Sequence, residues 1–499
     1  MFLRTLLFLS LSILAFLPSY AQGNLAAATQ AVANQLSIVK IGAGQYTQKL
    51  EATRAPHRLT FLVTQTDAKG KAHDESYHLN VADLDPAQIS FKPSKDVIVV
   101  TAGIRLNRKF IRYAENGQPG NFIEKLTLYA ESPDAATAMV DALRKLALAA
   151  EKSYHPASLP DGYEDIAVWL KNAVVNEVIG LNSYEQSISY NGRNPLLATF
   201  KQNKAGKSDD QFGFNVADIS LNDVKLTAKG DHLELSLTTL NRDKFIRYIR
   251  AGKPADLTSE FALISTDVDR IRDIEAAFRK LIPLAQKRLE AQTPSLKSMA
   301  DIQKVVIAGT RSVVSDRESF NQQIVPECSC MYTRIQAGRQ TPIEEISRFS
   351  LDDIPENSTK IDISNGLFVL KVNTGKQRLI SVSKNLVRQN YSADLEIFSE
   401  DLEAVRFLPQ AFTKAAQLCR QARKSPVPTN TAAATLSWLT TQMPSLRSET
   451  EELKTTLETF EPNSTCHLRL TERIIGKKTV ETQYDMSLKF LNVGGLRWQ

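Results

Sequence analysis

The chain has 499 residues, of which 42% are hydrophobic and 23% are charged, a balance that is ordinary for globular protein. The length favours about three or four domains of roughly 100–200 residues each. The formal net charge of +6 is small for a chain of this size, and it does not indicate nucleic acid as a partner.

Residues 1–21 have the pattern of a secretory signal. Arg4 precedes the apolar run LLFLSLSILAFL, and Ser19 and Ala21 place small side chains where a cut before Gln22 needs them. The run is shorter than the roughly 20 apolar residues of a membrane span, which favours cleavage over an uncleaved anchor. We therefore expect an exported protein of a bacterial envelope, periplasmic or extracellular, with no transmembrane segment after cleavage.

The next pattern in the chain is a short sequence that recurs. It reads YHLNVADL at residues 77–84, FGFNVADI at 212–219, SRFSLDDI at 347–354 and YDMSLKFL at 484–491. Its core positions Leu79, Phe214, Phe349 and Met486 are 135, 135 and 137 residues apart. A fixed period of this length is typical of an array of one module.

The period predicts four modules, which we call segments 1 to 4. They cover residues 24–153, 161–295, 298–424 and 432–499. The proline-containing stretches SYHPASLPDG and KSPVPTNT are typical of boundaries between them. Segment 4 has only the first half of the pattern, so we expect either that the sequence is truncated there or that segment 4 pairs with something else.

Each complete segment is predicted to be α+β, with an opening helix, about seven short strands and a long closing helix. In segment 1 these elements are LAAATQAVANQL, then QYTQKLEA, HRLTFLVTQ, ESYHLNVA, AQISFK, DVIVVTAG, KFIRYAE and IEKLTLYA, and a helix that begins at Ser132-Pro133. The apolar stripe expected on that helix is Ala136, Met139, Val140, Leu143, Leu146 and Ala147. Segments 2 and 3 repeat the plan and close with VDRIRDIEAAFRKLIPLAQKRL and LEAVRFLPQAFTKAAQLCRQA.

This order of elements resembles pleckstrin-homology-like (PH-like) domains, in which seven antiparallel strands form a partly open barrel that a C-terminal helix closes. The resemblance rests on the element order, the closing helix and the NVAD-type third strand, and it covers nearly all of the chain after residue 21. The chain is also similar to secreted bacterial repeat proteins with this spacing. A different α+β sheet with helices on one face fits the same pattern.

The resemblance implies binding of phosphoinositides, peptides or proteins. Lipid-binding members carry several Lys and Arg on the loop between the first two strands. The corresponding residues are Lys49, Arg54, His57 and Arg58 in segment 1, Arg193 in segment 2 and Glu327 in segment 3. Because the basic pattern is not kept, a protein partner is favoured over a lipid headgroup.

The KFIRY sequence of segments 1 and 2 supplies the candidate binding residues. They are Lys109, Arg112, Tyr113, Lys244, Arg247 and Tyr248. If the strand has no bulge, Lys109 and Ile111 face one way while Phe110 and Arg112 face the other. Such a strand can bind an acidic glycan or an acidic partner, or it can be an edge strand that charge protects from further pairing.

No pattern for catalysis, a cofactor or a metal ion is found. The sequence has no HExxH, GxSxG, P-loop or GxGxxG. Asp83, Asp218 and Asp353 recur with the motif, and we expect each to end a strand and to bond the backbone of the following turn rather than to act as a ligand or a base.

The four cysteines are Cys328, Cys330, Cys419 and Cys466. Export permits disulfides. Cys328 and Cys330 open a strand-like stretch, and we expect at most one of them to face Cys419 on the closing helix. A bridge from Cys330 or Cys328 to Cys419 is therefore predicted, whereas the lack of CxxC disfavours zinc.

Together these patterns favour a non-enzymatic exported array that acts in protein interaction or envelope structure, because repetition of a weak site gains avidity. Two alternatives stay open. A carbohydrate- or lipid-binding array would expose Lys109, Arg112 and Tyr113 together. A hydrolase would gather Asp, His or Glu from two segments in one cleft.

Overall fold

The structure is a computed structural model that describes residues 24–53, 55–95, 97–205, 208–314, 319–338, 341–375, 377–422, 432–442, 446–447, 452–461, 464–475 and 478–487. The fold is α+β, and its paired strands are antiparallel.

The chain divides into two compact units between Gln292 and Thr293. The predicted signal, residues 1–21, and the end of segment 4, residues 488–499, lie outside the described ranges. None of the helices in those ranges is long and apolar enough for a membrane span.

Segment 1 contains an opening helix, nine strands and a closing helix. In chain order they are α1 (residues 24–35), β1 (Val39–Ile41), β2 (Gly44–Ala52), β3 (Arg58–Thr66), β4 (Ala72–Asn80), β5 (Leu84–Ser94), β6 (Val97–Ile104), β7 (Ile111–Glu115), β8 (Gln118–Ile123), β9 (Lys125–Ala130) and α2 (Pro133–Ser153). Six strands form one sheet in the order β1-β2-β3-β4-β7-β8, and β5-β6-β9 form a second. The chain changes sheet directly after the NVAD motif.

Segment 2 has the same strand order. Its elements are α3 (Tyr163–Ala173), β10 (Glu177–Ile179), β11 (Asn182–Tyr190), β12 (Leu197–Lys204), β13 (Ser208–Asn215), β14 (Lys225–Lys229), β15 (His232–Thr238), β16 (Arg247–Arg250), β17 (Lys253–Pro254), β18 (Glu260–Ser265) and α4 (Val268–Ala291). The sheets are β10-β11-β12-β13-β16-β17 and β14-β15-β18.

Segments 3 and 4 lie in the second unit. Segment 3 has α5 (Met299–Gly309), β19 (Val313–Val314), β20 (Ser319–Val325), β21 (Ser329–Ala337), β22 (Ile343–Ser350), β23 (Thr359–Ser364), β24 (Leu367–Asn373), β25 (Ser381–Lys384), β26 (Val387–Arg388), β27 (Asp394–Ser399), α6 (Leu402–Val405) and α7 (Leu408–Ala422). Its sheets are β19-β20-β21-β22-β25-β26 and β23-β24-β27. Segment 4 has α8 (Ala432–Gln442), β28 (Leu446–Arg447), β29 (Glu452–Glu461), β30 (Ser464–Ile475) and β31 (Val480–Ser487), with the strands in one sheet.

The strand count corrects the sequence-based expectation. Segments 1 to 3 each hold nine strands instead of about seven, because strands as short as β1 and β17 carry no alternating pattern of useful length. In the described part of each segment the two sheets do not close into a barrel. The α+β class is confirmed.

The closing helix of segment 1 forms as its sequence predicts. Ser132 caps the helix by accepting a hydrogen bond from Ala135 N at 3.2 Å, and Pro133 occupies the first helical position. The predicted apolar stripe from Ala136 to Ala147 is buried. This stripe packs the helix against the sheets and makes it part of the core.

A buried glutamine joins the two sheets in each of segments 1 to 3. Its side-chain amide donates to the carbonyl, and accepts from the N–H, of one residue on the last strand of the smaller sheet, at 2.8 to 3.0 Å. The three pairs are Gln48 with Tyr129, Gln186 with Ile264 and Gln322 with Phe398. The same amide also donates to a carbonyl just after the opening helix, and the three acceptors are Ser37, Val175 and Arg311.

An arginine on each closing helix makes a second recurring contact. It donates to backbone carbonyls that lie within the end of the motif or just after it. The pairs are Arg144 with Ile89, Arg279 with Leu221 and Val224, and Arg420 with Asp352 and Ile354. The closing helix is thereby fixed to the point where the chain leaves the larger sheet.

The predicted disulfide is formed, and it joins Cys419 to Cys328 rather than to Cys330. The Cα atoms of Cys328 and Cys419 are 5.6 Å apart, and 91 positions separate them in sequence. Strand β21 begins at Ser329, so Cys328 lies in the turn before it. Cys330 is a buried thiol, and burial raises its pKa to about 12.

Replacement of Gln322 by Ala tests the amide that joins the sheets. The change leaves the N–H and C=O of Phe398 and the C=O of Arg311 without their partner. We expect a loss of roughly 2–4 kcal/mol in the free energy of unfolding, because each unpaired buried group costs about 1–3 kcal/mol. Urea unfolding of the full chain measures it. Gln323→Ala is the control, since Gln323 is exposed on the same strand; equal midpoints for both variants would contradict the role.

Candidate functional site at the junction of segments 1 and 2

The motif turn of segments 1 and 2 is capped by its asparagine. Asn80 Oδ1 accepts from Ala82 N at 3.0 Å, and Asn215 Oδ1 accepts from Ala217 N at 2.9 Å. The expectation that Asp83 bonds this turn is wrong. Asp83 is buried and instead accepts a hydrogen bond from Arg272, a residue of segment 2.

The N-terminus of α4 places three charged side chains against segment 1. Asp267 caps its own helix by accepting from Asp269 N and Arg270 N, and its carboxylate also receives both Nη atoms of Arg58, at 2.7 and 3.0 Å. Asp269 accepts from Arg58 Nε at 2.6 Å and from Asn80 Nδ2 at 2.9 Å. A guanidinium of segment 1 thus holds two carboxylates of segment 2 in a fork geometry that favours strong pairing.

Arg272 lies one helical turn further on and completes the cluster. Its guanidinium pairs with Asp83 of segment 1 and with Asp269 of its own helix. The rings of Phe110 and Tyr154 lie 5.7 and 5.6 Å from its Cζ, within cation–π range. The two segments therefore share one network of alternating charge.

Burial and charge move the pKa values of the two central carboxyls in opposite directions. Burial raises the pKa of Asp83, and the opposing charge of Arg272 does not reverse the shift. Burial also acts to raise the pKa of Asp269, but the hydrogen bond from Asn80 and the charges of Arg272 and Arg58 outweigh it and lower the pKa. Asp269 is thus the more firmly ionised of the pair.

The linker between the segments is tied to the same helix. Tyr154 Oη lies 3.4 Å from Asp269 Oδ1, and Ala157 N donates to Asp273 Oδ1 at 3.3 Å. Lys280 Nζ donates to Leu159 O at 3.3 Å. One continuous apolar cluster runs through both segments, so the linker does not act as a hinge between separate cores.

A cavity of about 380 Å³ lies at this junction. Segment 1 contributes strands β3 and β4 and the start of β7, and segment 2 contributes the first turn of α4. Its polar lining includes Arg58, Thr60, His78, Asn80, Arg112, Asp267, Asp269 and Arg270. Within the described ranges, no group of three or more His, Cys, Asp or Glu side chains has the arrangement of a metal site.

Of the predicted binding residues in segment 1, only Arg112 lines the cavity. Lys109 is exposed. Tyr113 is half-buried, its ring centroid lies 5.4 Å from that of Tyr77, and its hydroxyl donates to Glu75 at 3.2 Å. The three side chains therefore do not form one exposed surface.

The predicted alternation around Phe110 is wrong. Phe110 and Ile111 are both buried, because strand β7 begins only at Ile111 and the pairing with β8 is irregular after Arg112. The strand pattern cannot be extended back to Lys109.

The corresponding residues of segment 2 are also spread out. Lys244 and Arg247 are exposed. Tyr248 stacks on Phe212 with ring centroids 4.9 Å apart, and its hydroxyl donates to Asp210 at 2.8 Å. One ring face and the polar end of this tyrosine are thus used within the fold. Among the loop cations of segment 1, Arg58 lies in the junction, while Arg54 lies outside the described residues.

Comparison of the chain with protein-family models, with curated proteins and with solved structures found no match.

The sequence reasoning missed Asp269 and Arg272, although a signal for them exists. The closing helix of segment 2 begins DVDRIRDIE, where that of segment 1 begins SPDAATAMV. Five extra charged residues in two turns at an otherwise similar position indicate a surface that meets other charges. The partners Arg58 and Asp83 are about 200 residues away, and no local pattern connects them.

Replacement of Arg272 by Met should strongly destabilise the first unit. Asp83 and Asp269 would be left without their shared counter-charge, and removal of one partner from a buried pair costs about 3–5 kcal/mol. Asp83→Asn in the same chain should recover part of the loss, since it removes the uncompensated charge. Urea unfolding measures both, with Lys287→Ala on the exposed side of α4 as the control. A midpoint for Arg272→Met equal to that control would refute the role of the network.

The opposite pKa shifts predict opposite pH effects for two variants. Asp269 has a lowered folded-state pKa, so its stabilising contribution is present above 3.8 and is lost as the pH falls through the folded value. Asp83 has a raised pKa, so its contribution grows as the pH falls through that raised value. The free energy of unfolding decreases as the solution becomes acidic. Asp269→Asn should make this decrease shallower, and Asp83→Asn should make it steeper. Parallel pH profiles for the two variants would contradict the assignment.

Proposed function

We propose that the protein is an exported, non-catalytic array of α+β modules that acts in protein interaction or in cell-envelope structure. The repeated module is supported by the common strand order of segments 1 to 3 and by the glutamine that joins the sheets in each. The likeness to PH-like domains lies in element order, with antiparallel strands before a long closing helix. Nine strands in two open sheets differ from a seven-stranded barrel.

The observation that carries the non-catalytic proposal is the state of the carboxylates at the junction. Asp267 and Asp269 line the cavity, but Arg58 donates to both of them. The pKa of Asp269 is lowered by its donors, which makes this carboxylate a poor general base near neutral pH. The charged groups gathered from two segments thus favour a fixed junction over the cleft of a hydrolase.

A rigid junction supports an interaction role because it fixes the distance and angle between equivalent surfaces of segments 1 and 2. Lys109 and Lys244 are exposed at equivalent positions, 135 residues apart. A partner with two like sites can engage both at once and gain avidity when the geometry permits it.

Photo-cross-linking in intact cells tests the interaction proposal. A photoreactive residue at position 109 and another at position 244 should capture the same envelope protein, and the chain should fractionate with the periplasm or the medium. Capture of unrelated proteins at the two positions, or a cytosolic location, would count against the proposal.

An activity screen tests the non-catalytic part. The purified chain and its Asp267→Asn and Asp269→Asn variants are incubated with ester, glycoside, peptide and phosphate ester substrates. Any residual rate should be the same for all three proteins. Turnover that either substitution abolishes would overturn this part of the proposal.

A further inference from the structure

The cavity between segments 1 and 2 has the size of a small-molecule site. Its volume of about 380 Å³ falls within the roughly 300–1,000 Å³ of ligand pockets, and it exceeds the ~30 Å³ share of one water molecule many times. More of its lining surface is apolar than polar, and Val268 of α4 contributes a partly exposed apolar side chain. Linings of this kind with a few fixed polar groups are typical of sites for organic ligands.

The charges that line the cavity leave one cation in excess. The lining contains three arginines and two aspartates, namely Arg58, Arg112, Arg270, Asp267 and Asp269. Arg58 binds both aspartates. Arg270 Nη2 lies 3.5 Å from Asp267 and 3.7 Å from Glu177. Among the described side chains, no carboxylate forms an ion pair with Arg112.

Arg112 ends a row of polar side chains that crosses the larger sheet of segment 1. Strand register places Glu51 opposite Thr60, Thr60 opposite His78, and His78 opposite Arg112. His78 Nδ1 lies 2.8 Å from Thr60 Oγ1. Burial lowers the pKa of His78, and the charge of Arg112 adds to the effect. The imidazole is therefore neutral near neutral pH, and the positive charge on this side of the cavity belongs to Arg112.

We propose that the cavity binds a small organic anion, whose acidic group is held by Arg112. A guanidinium presents a planar fork of donors that matches the oxygens of a carboxylate or a phosphate. The rest of the ligand packs against the apolar part of the lining, to which segment 1 and α4 both contribute. A bound ligand thus touches both segments and adds to the contacts that join them.

Isothermal titration calorimetry on the full chain tests the site. Benzoate, succinate and phenyl phosphate serve as organic probes, with inorganic phosphate as the reference anion. We expect saturable one-site binding of at least one organic probe at neutral pH and low salt. Arg112→Met should weaken that binding by about tenfold or more, since it removes a charge-assisted hydrogen-bonding pair. Arg112→Lys keeps the positive charge but loses the planar fork of donors. Its affinity should therefore lie between those of the unmodified chain and of Arg112→Met.

Lys201→Ala is the matched control, because Lys201 is an exposed cation on β12 that does not line the cavity. Its affinity should equal that of the unmodified chain. Urea midpoints check that each variant is folded, and Arg112→Lys alone decides if Arg112→Met does not fold. The proposal is overturned if no organic probe binds saturably below about 10 mM, if the Arg112 variants bind as tightly as the unmodified chain, or if inorganic phosphate binds as well as every organic probe.

Discussion

In each of segments 1 to 3, a single side-chain amide fixes how the two sheets are placed relative to one another. Sheets that lie face to face share no backbone hydrogen bonds, so apolar packing alone would leave their relative position loosely specified. The amides of Gln48, Gln186 and Gln322 each bind the backbone N–H and C=O of one residue on the opposite sheet. A buried amide that is fully paired in this way specifies one arrangement, since any slip leaves polar groups unpaired. In segment 4, where a single sheet is described, the corresponding position on β29 holds Thr455.

The relative position of the two sheets in segment 2 determines the geometry of the junction with segment 1. The residue that the amide binds lies on the last strand before the closing helix, so the amide of Gln186 fixes where α4 begins. The start of α4 carries the charges that meet Arg58 and Asp83. Buried ion pairs contribute little net stability compared with apolar packing. Their effect here is on geometry, because only one approach of segment 2 satisfies all of them.

The sequence predicts local features of this fold well and distant pairings poorly. The stripe on α2 and the cap at Ser132 follow from helical spacing and from the chemistry of serine. The short strand β1 is missed because three residues cannot show a period. The contact between Asp83 and Arg272 is missed because it joins positions 189 residues apart. In segment 1 the role expected of Asp83 belongs to Asn80, since both residue types cap turns and spacing alone does not separate them.

The bond between Cys328 and Cys419 sets a limit on how far the chain can be stretched. The 91-residue separation corresponds to roughly 300 Å of extended chain at about 3.3–3.6 Å per residue. While the disulfide is intact, a pulling force along the chain is transmitted through it. The residues between Cys328 and Cys419 are then not extended, even when segment 3 unfolds. Segments 1 and 2 contain no cysteine, so their full length is released when they open. Under tension one part of the array would lengthen freely, while another would act as a short tether of nearly constant length.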